Sequence, residues 1–182
     1  MGTRSAVVLD GTVREYDAIT AGNPPVPYFS ANGQRCGYSI RDGKNKHIVI
    51  DGEKGPAYDL TGTGPVFSND GRHVAYAGYR NDTAYAVIDG IEHGGWTGIE
   101  DMVFSEDGTR YAYVAKRNYD SYLITEVEEL GPFKHVWNPS FSPDGSRLSY
   151  LVHEDSLVHA IVDSVKSPGY ADVGPVLFSP DN

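Results

Sequence analysis

A five-residue segment beginning Phe-Ser recurs five times along the chain. It reads Phe29-Ser-Ala-Asn-Gly33, Phe67-Ser-Asn-Asp-Gly71, Phe104-Ser-Glu-Asp-Gly108, Phe141-Ser-Pro-Asp-Gly145 and Phe178-Ser-Pro-Asp-Asn182. Its spacings are 38, 37, 37 and 37 residues. A constant period of this size is the mark of a repeat architecture, in which each unit cannot bury its apolar face alone and must pack on its neighbours. This limits the fold before composition is considered.

Each period divides into four short apolar runs. The first ends in the signature, as in Pro65-Val-Phe-Ser68 and Met102-Val-Phe-Ser105. The Asx-Gly pair that follows is a hairpin signal, because Gly accepts positive φ and Asx bonds its own backbone. A second run alternates apolar residues around Tyr38, Tyr76, Tyr113 and Tyr150, each preceded by a small residue (Gly37, Ala75, Ala112, Ser149). A constant small residue beside an aromatic one predicts close packing against a neighbouring sheet. The third run, such as Tyr85-Ala-Val-Ile88, closes on an acid: Asp51, Asp89, Glu126 or Asp163. A fourth centres on Tyr58, Trp96, Phe133 and Tyr170. No segment keeps a helical period, so the chain is expected to be all-β.

Four-stranded antiparallel units of about 37 residues, repeated around a ring, describe a β-propeller. The Phe-Ser-Pro-Asp-Gly turn with its apolar second strand resembles the WD40-like repeat of TolB-type proteins, and the Val-Ile-Asp-Gly end of the third strand is similar to that group's bacterial members. The Trp-Asp and Gly-His marks of true WD40 repeats are missing. One domain over 1–182 is expected, with repeats near 24–60, 61–98, 99–135 and 136–172. The ends complement each other. The C-terminus stops after a first strand and its turn, whereas Gly2–Val7 matches the start of a second strand and Val8–Gly11 the end of a third. The expectation is five blades, the N- and C-termini sharing one incomplete blade built from 173–182 and 1–23. A piece cut from a larger propeller, or an engineered form, is the alternative. The connection around Asn23–Pro27 is irregular.

The 182 residues carry 15 basic and 25 acidic side chains, a formal charge of −10. That balance argues against nucleic acid and anionic membrane as partners. The single cysteine, Cys36, excludes an internal disulfide and is expected to be a small buried hydrophobe. No signal peptide is evident, which together with the absent disulfide points to the cytoplasm; the family resemblance implies the periplasm as the alternative.

Catalytic motifs are absent, including the Gly-x-Ser-x-Gly elbow, His-Glu-x-x-His, P-loop and Cys-x-x-Cys patterns. His47 and His159 occupy equivalent strand positions, which indicates repeat structure rather than metal ligation, so neither metal nor cofactor is expected. A channel-centred glycoside hydrolase would need two converging carboxylates. Only Asp101, beside Glu100, breaks the regular recurrence of the acids near the first strands. Binding is expected where the repeats differ: Trp137 and Asn138, Glu100 and Asp101, and the second-to-third-strand tips bearing Tyr79, Arg80, Arg117 and Tyr119. The function expected is a non-enzymatic, monomeric scaffold that recognises a protein or peptide through its loop face. A lectin-like propeller is the alternative and a small hydrolase the third.

Overall fold

The computed structural model describes residues 5–20, 27–62 and 64–180. All its regular structure is β. It begins with a hairpin, β1 (Ser5–Leu9) and β2 (Thr12–Tyr16). Four antiparallel sheets follow in chain order. In blade one a first strand in two pieces, β3 (Ala18–Ile19) and β4 (Tyr28–Phe29), pairs with β5 (Cys36–Asp42), followed by β6 (Asn45–Ile50) and β7 (Glu53–Lys54). Blade two repeats this with β8 (Leu60–Thr61) and β9 (Val66–Phe67) on β10 (Val74–Arg80), then β11 (Thr83–Ile88) and β12 (Ile91–Trp96). Blade three has β13 (Gly98–Phe104), β14 (Tyr111–Arg117), β15 (Asp120–Thr125) and β16 (Glu129–Phe133). Blade four has β17 (His135–Phe141), β18 (Leu148–Glu154), β19 (Leu157–Val162) and β20 (Val165–Lys166).

Local chemistry sets these boundaries. Asp51-Gly52 and Asp89-Gly90 place both residues at positive φ (51° and 86°, 51° and 83°), the geometry of the tight turn that matches strand twist. Asp163-Ser164 does the same without glycine, at 48° and 71°. At the signature turns the Ser hydroxyl is buried and bonded twice. Ser105 Oγ donates to Asp107 Oδ1 at 2.6 Å and accepts the Arg110 N–H at 3.0 Å. Ser68 and Ser142 make the same pair of bonds, and Ser30 makes it with Asn32.

The residue six places after each signature Phe joins its blade to the next. Arg35 Nε donates to Asp51, Arg110 Nε to Glu126 and Arg147 Nε to Asp163, at 2.8, 2.9 and 2.6 Å; His73 takes this place beside Asp89 at 2.7 Å. The same four side chains lie on the signature rings of the following repeat. Arg35 covers Phe67, Arg110 covers Phe141, Arg147 covers Phe178, and His73 stacks on Phe104. Arg110 also donates to the carbonyls of Gly145 and Ser146 at 3.0 and 3.1 Å. The strand-end acids expected to be structural are therefore ion-pair partners.

The core lies between successive sheets. Tyr38, Tyr58, Ile48, Val87, Val114, Leu123 and Val136 are almost fully buried, each such side chain contributing about 1.5–3 kcal/mol of transfer free energy. Close packing explains the small residue before each second-strand Tyr: a Cβ on Gly37 would fall 2.6 Å from Pro65 in the next blade. Cys36 is buried, as expected, and burial pushes its thiol pKa up.

The two ends differ from expectation in detail. Ser5–Val7 belong to the same strand as Leu9, which enters an Asp10-Gly11 turn with φ 48° and 77°. The hairpin thus takes third- and fourth-strand places, and the match of this segment to a second strand is not realised. Val7 packs on Tyr38, Ile40 and Val49 of blade one, and the Tyr16 and Tyr38 hydroxyls are 3.0 Å apart. At the other end residues 171–180 form no strand, although Phe178 lies under Arg147 as a signature Phe should. Among the described residues no pairing joins the hairpin to the C-terminal segment. The irregular connection at Asn23–Val26, and Asp181 and Asn182, lie outside the described residues.

Ser105→Ala removes an acceptor from the buried Arg110 N–H and a donor from Asp107. It is expected to lower stability by about 1–3 kcal/mol, whereas Thr109→Ala, at an exposed partner of Asp107, stays within about 0.5 kcal/mol. Urea unfolding of the two variants reads the difference.

Candidate functional site

Antiparallel order places the second-to-third-strand tips and the starts of the first strands on one face, and the signature and closing turns on the other. Six of the eight residues singled out from the sequence lie toward the first of these faces, and Arg80 and Arg117, at the same strand ends, turn to the outer edge. A cleft of about 340 Å³ opens there between blades two and three, lined by Gly64, Val66, Tyr79, Ile99, Glu100 and Asp101, with Met102 beside them. It brings together three of the eight.

Each of the three is fixed by backbone or charge. Tyr79, at the end of β10, donates its hydroxyl to the Ile99 carbonyl at 3.3 Å, crossing from blade two to blade three. Glu100 accepts from Lys116 Nζ at 2.5 Å. Asp101 sits at a bulge where the β13–β14 register shifts between Glu100 and Val103, and its φ is 47°. Asn138 holds the matching place in β17, at φ 52°, and Gly64 the matching place in blade two, at φ 151°. Asp, Asn and Gly are the residues that tolerate such backbone. Asp101 Oδ2 accepts the Asn138 N–H at 3.2 Å, so the bulges of blades three and four are joined.

The other candidates are dispersed. Trp137 is half-buried and stacks on His135 at 4.9 Å. Tyr119 stands 98% exposed at the β14–β15 tip. Arg80 and Arg117 face the outer edge of the blades. Arg80 pairs with Glu92 at 2.9 Å and covers Tyr85 and Tyr58; Arg117 pairs with Glu129 at 3.2 Å and covers Trp96 and Tyr122. The equivalent residues of blades one and four reverse the charges, as Asp42–Lys54 and Glu154–Lys166. A pair that recurs in all four blades, with its signs exchanged in two of them, is a structural lock. Its members are twelve residues apart, a regularity visible in the sequence once the repeat is aligned. The lining residues that sequence reasoning missed are Gly64, Ile99 and Met102, along with Lys116. Gly64 carried a signal, since it stands three residues before Phe67 as Asp101 does before Phe104.

Five described acids, Asp70, Glu92, Asp107, Glu154 and Asp163, have their pKa values lowered from the ordinary ones. The signature Ser hydroxyl is the main cause at Asp70 and Asp107, and the Tyr58 hydroxyl at Glu92. Among the described residues no three His, Cys, Asp or Glu side chains group as a metal site, and no helix is long and apolar enough to cross a membrane.

No protein-family model matches the chain, and no curated protein does. Its structure is similar to the acylaminoacyl peptidase of Pyrococcus horikoshii, with 14% identity, a TM-score of 0.50 and 78% of this chain against 31% of that one covered. It is also similar to dihydro-heme d1 dehydrogenase NirN, at 16% identity and TM-score 0.50, with 93% and 44% covered. TolB from Acinetobacter baumannii gives 12% identity and TM-score 0.48, with 74% and 40% covered. The chain spans 40% and 57% of the two TolB structures to which it is similar. At such identities the likeness is one of fold, and the fold is a β-propeller. Two of these proteins are named as enzymes, and a fold shared so widely does not fix an activity.

The Tyr58–Glu92–Arg80 lock has a pH signature. Hydrogen bonds from Tyr58, then Arg80, hold Glu92 below its ordinary 4.5. Its contribution is complete above that value and disappears as pH falls through the lowered folded value. Glu92→Gln is expected to cost most stability near neutral pH, the gap from wild type closing below about pH 4 in melting curves.

Proposed function

We propose that the protein is a non-catalytic β-propeller scaffold that binds a protein or peptide through the face bearing the second-to-third-strand tips. The observation that carries this is where the repeat is broken. On the opposite face all four blades spend the Ser and Asx of the signature turn on the same internal bonds, and Arg, or His73 in blade two, on the acid that closes the third strand. On this face the blades differ: a cleft holds Tyr79, Glu100 and Asp101 between blades two and three, and Tyr119 stands exposed at the β14–β15 tip. Aromatic anchors next to carboxylates suit a peptide that carries a basic residue alongside an apolar one.

The Glu100 carboxylate, held by Lys116, is exposed enough to exchange that partner for a ligand cation. The fold supports the scaffold role, since the first strands are fixed across blade boundaries by Tyr79–Ile99 and Asp101–Asn138. A surface already rigid loses less conformational entropy when a ligand binds.

Peptides selected from a displayed library against the full chain test this assignment. Glu100→Ala and Tyr79→Ala are each expected to weaken a selected peptide at least tenfold, about 1.4 kcal/mol or more, while Asn69→Ala on the opposite face leaves it unchanged. Equal loss from Asn69→Ala, or specific capture on a glycan array with no peptide selected, would overturn it.

A further inference from the structure

A second cleft, of about 540 Å³, lies elsewhere, between blades one and two near the signature-turn face. Its floor is apolar: Ile48, Ile50, Pro56 and Val74, with the buried Tyr76 behind. The repeat shows why it opens here. The place of Val74 is taken by Tyr111 in blade three, where the ring stacks on Tyr113 and packs against the core shared with blade two. In blade four it is Leu148. Val74 is smaller than its counterparts in blades three and four, and Cys36 of blade one is smaller still.

The mouth carries one loosely held cation. Arg72 is 82% exposed and pairs with Asp70 Oδ2 only at 3.5 Å, while Asp70 Oδ1 accepts from Ser68 Oγ and the Arg72 N–H. The other cations are committed, Arg35 to Asp51 and Lys54 to Asp42. Asp51, Glu53 and Asp89 also line the cleft, which disfavours a dianion such as phosphate but tolerates a single carboxylate. Glu53 has no ion-pair or hydrogen-bond partner among the described residues. Arg72, in the turn that leads into β10, and Val74 and Tyr76 on β10 itself all line the cleft, so a cation stands beside the apolar floor. One Cα carrying both a carboxylate and an apolar side chain suits that pairing, and a chain's last residue is such a group.

We propose that this cleft receives the C-terminal residue of a peptide partner, its apolar side chain on Ile48, Ile50 and Val74, its carboxylate on Arg72, and its amide N–H directed to Glu53. An Arg guanidinium matches a carboxylate in two parallel hydrogen bonds, and the preceding peptide leaves along the groove between the blades. The site is on the face opposite the Tyr79–Glu100–Asp101 cleft, so it stands or falls independently of the function proposed above.

Calorimetric titration of the full chain with Ac-Gly-Ser-Ala-Leu tests it. The free-carboxylate peptide is expected to bind saturably, its C-terminal amide at least tenfold more weakly. Arg72→Gln, at an exposed side chain, gives a similar loss without shifting the melting transition. Val74→Tyr, which installs the side chain found at position 111, removes binding; should it fail to melt cooperatively, Arg72→Gln and the amide peptide decide. No saturable binding, equal binding of acid and amide, an unaffected Arg72→Gln variant, or binding of free leucine without the acetylated peptide would each overturn the proposal.

Discussion

The side chain six places after each signature Phe determines how one blade meets the next. A guanidinium there satisfies three demands at once. It neutralises the acid that closes its own third strand, covers the aromatic ring that begins the following repeat, and at Arg35 and Arg110 donates to carbonyls of the neighbouring turn. Arginine suits the task because its plane stacks on a ring while its edge keeps its donors free. Exposed ion pairs contribute little separately, commonly below about 1 kcal/mol. Here the pair is coupled to a buried Ser–Asp turn and to an aromatic contact, so losing one partner disturbs a network.

A second lock runs along the outer edge. Tyr58 and Trp96, in the fourth-strand places, lie beneath Arg80 and Arg117 of the following blade, which pair with Glu92 and Glu129. Blades one and four exchange the signs, and Phe133 packs on Tyr150 at 6.0 Å instead. With ties near the signature turns and along the outer edge, the sheets are held at a fixed separation. The two clefts considered above lie where the repeat varies in side-chain volume: Gly64 against Asp101 and Asn138 in one, Val74 against Tyr111 and Leu148 in the other.

Much of this was legible in the sequence. The 37-residue period, the four runs per repeat and the structural role of Asp51, Asp89, Glu126 and Asp163 follow from recurrence, because a position that repeats must serve something every blade needs. The candidate site was only partly legible. Glu100 and Asp101 stood out as acids that break the pattern, yet the geometry gives Asp101 a backbone reason to be there, a bulge at positive φ shared with Asn138 and Gly64. Arg80 and Arg117 resembled loop-face residues because they follow the second strand. Their charge is used on the outer edge, which depends on which way a side chain leaves its strand.

The sequence by itself determined the unit and its internal chemistry. Turn residues, alternation and the Ser–Asx pair act within a few positions of one another, where local sterics and hydrogen bonding suffice. The tertiary structure decided which units touch, which charges are left over and where space remains. Arg35 meets Phe67, and Tyr58 meets Glu92, across blade boundaries that sequence spacing does not reveal. It also placed the N-terminal hairpin in third- and fourth-strand positions against Tyr38, and left residues 171–180 without a strand partner. Pairing and burial are long-range, settled only when whole sheets compete for the same neighbour.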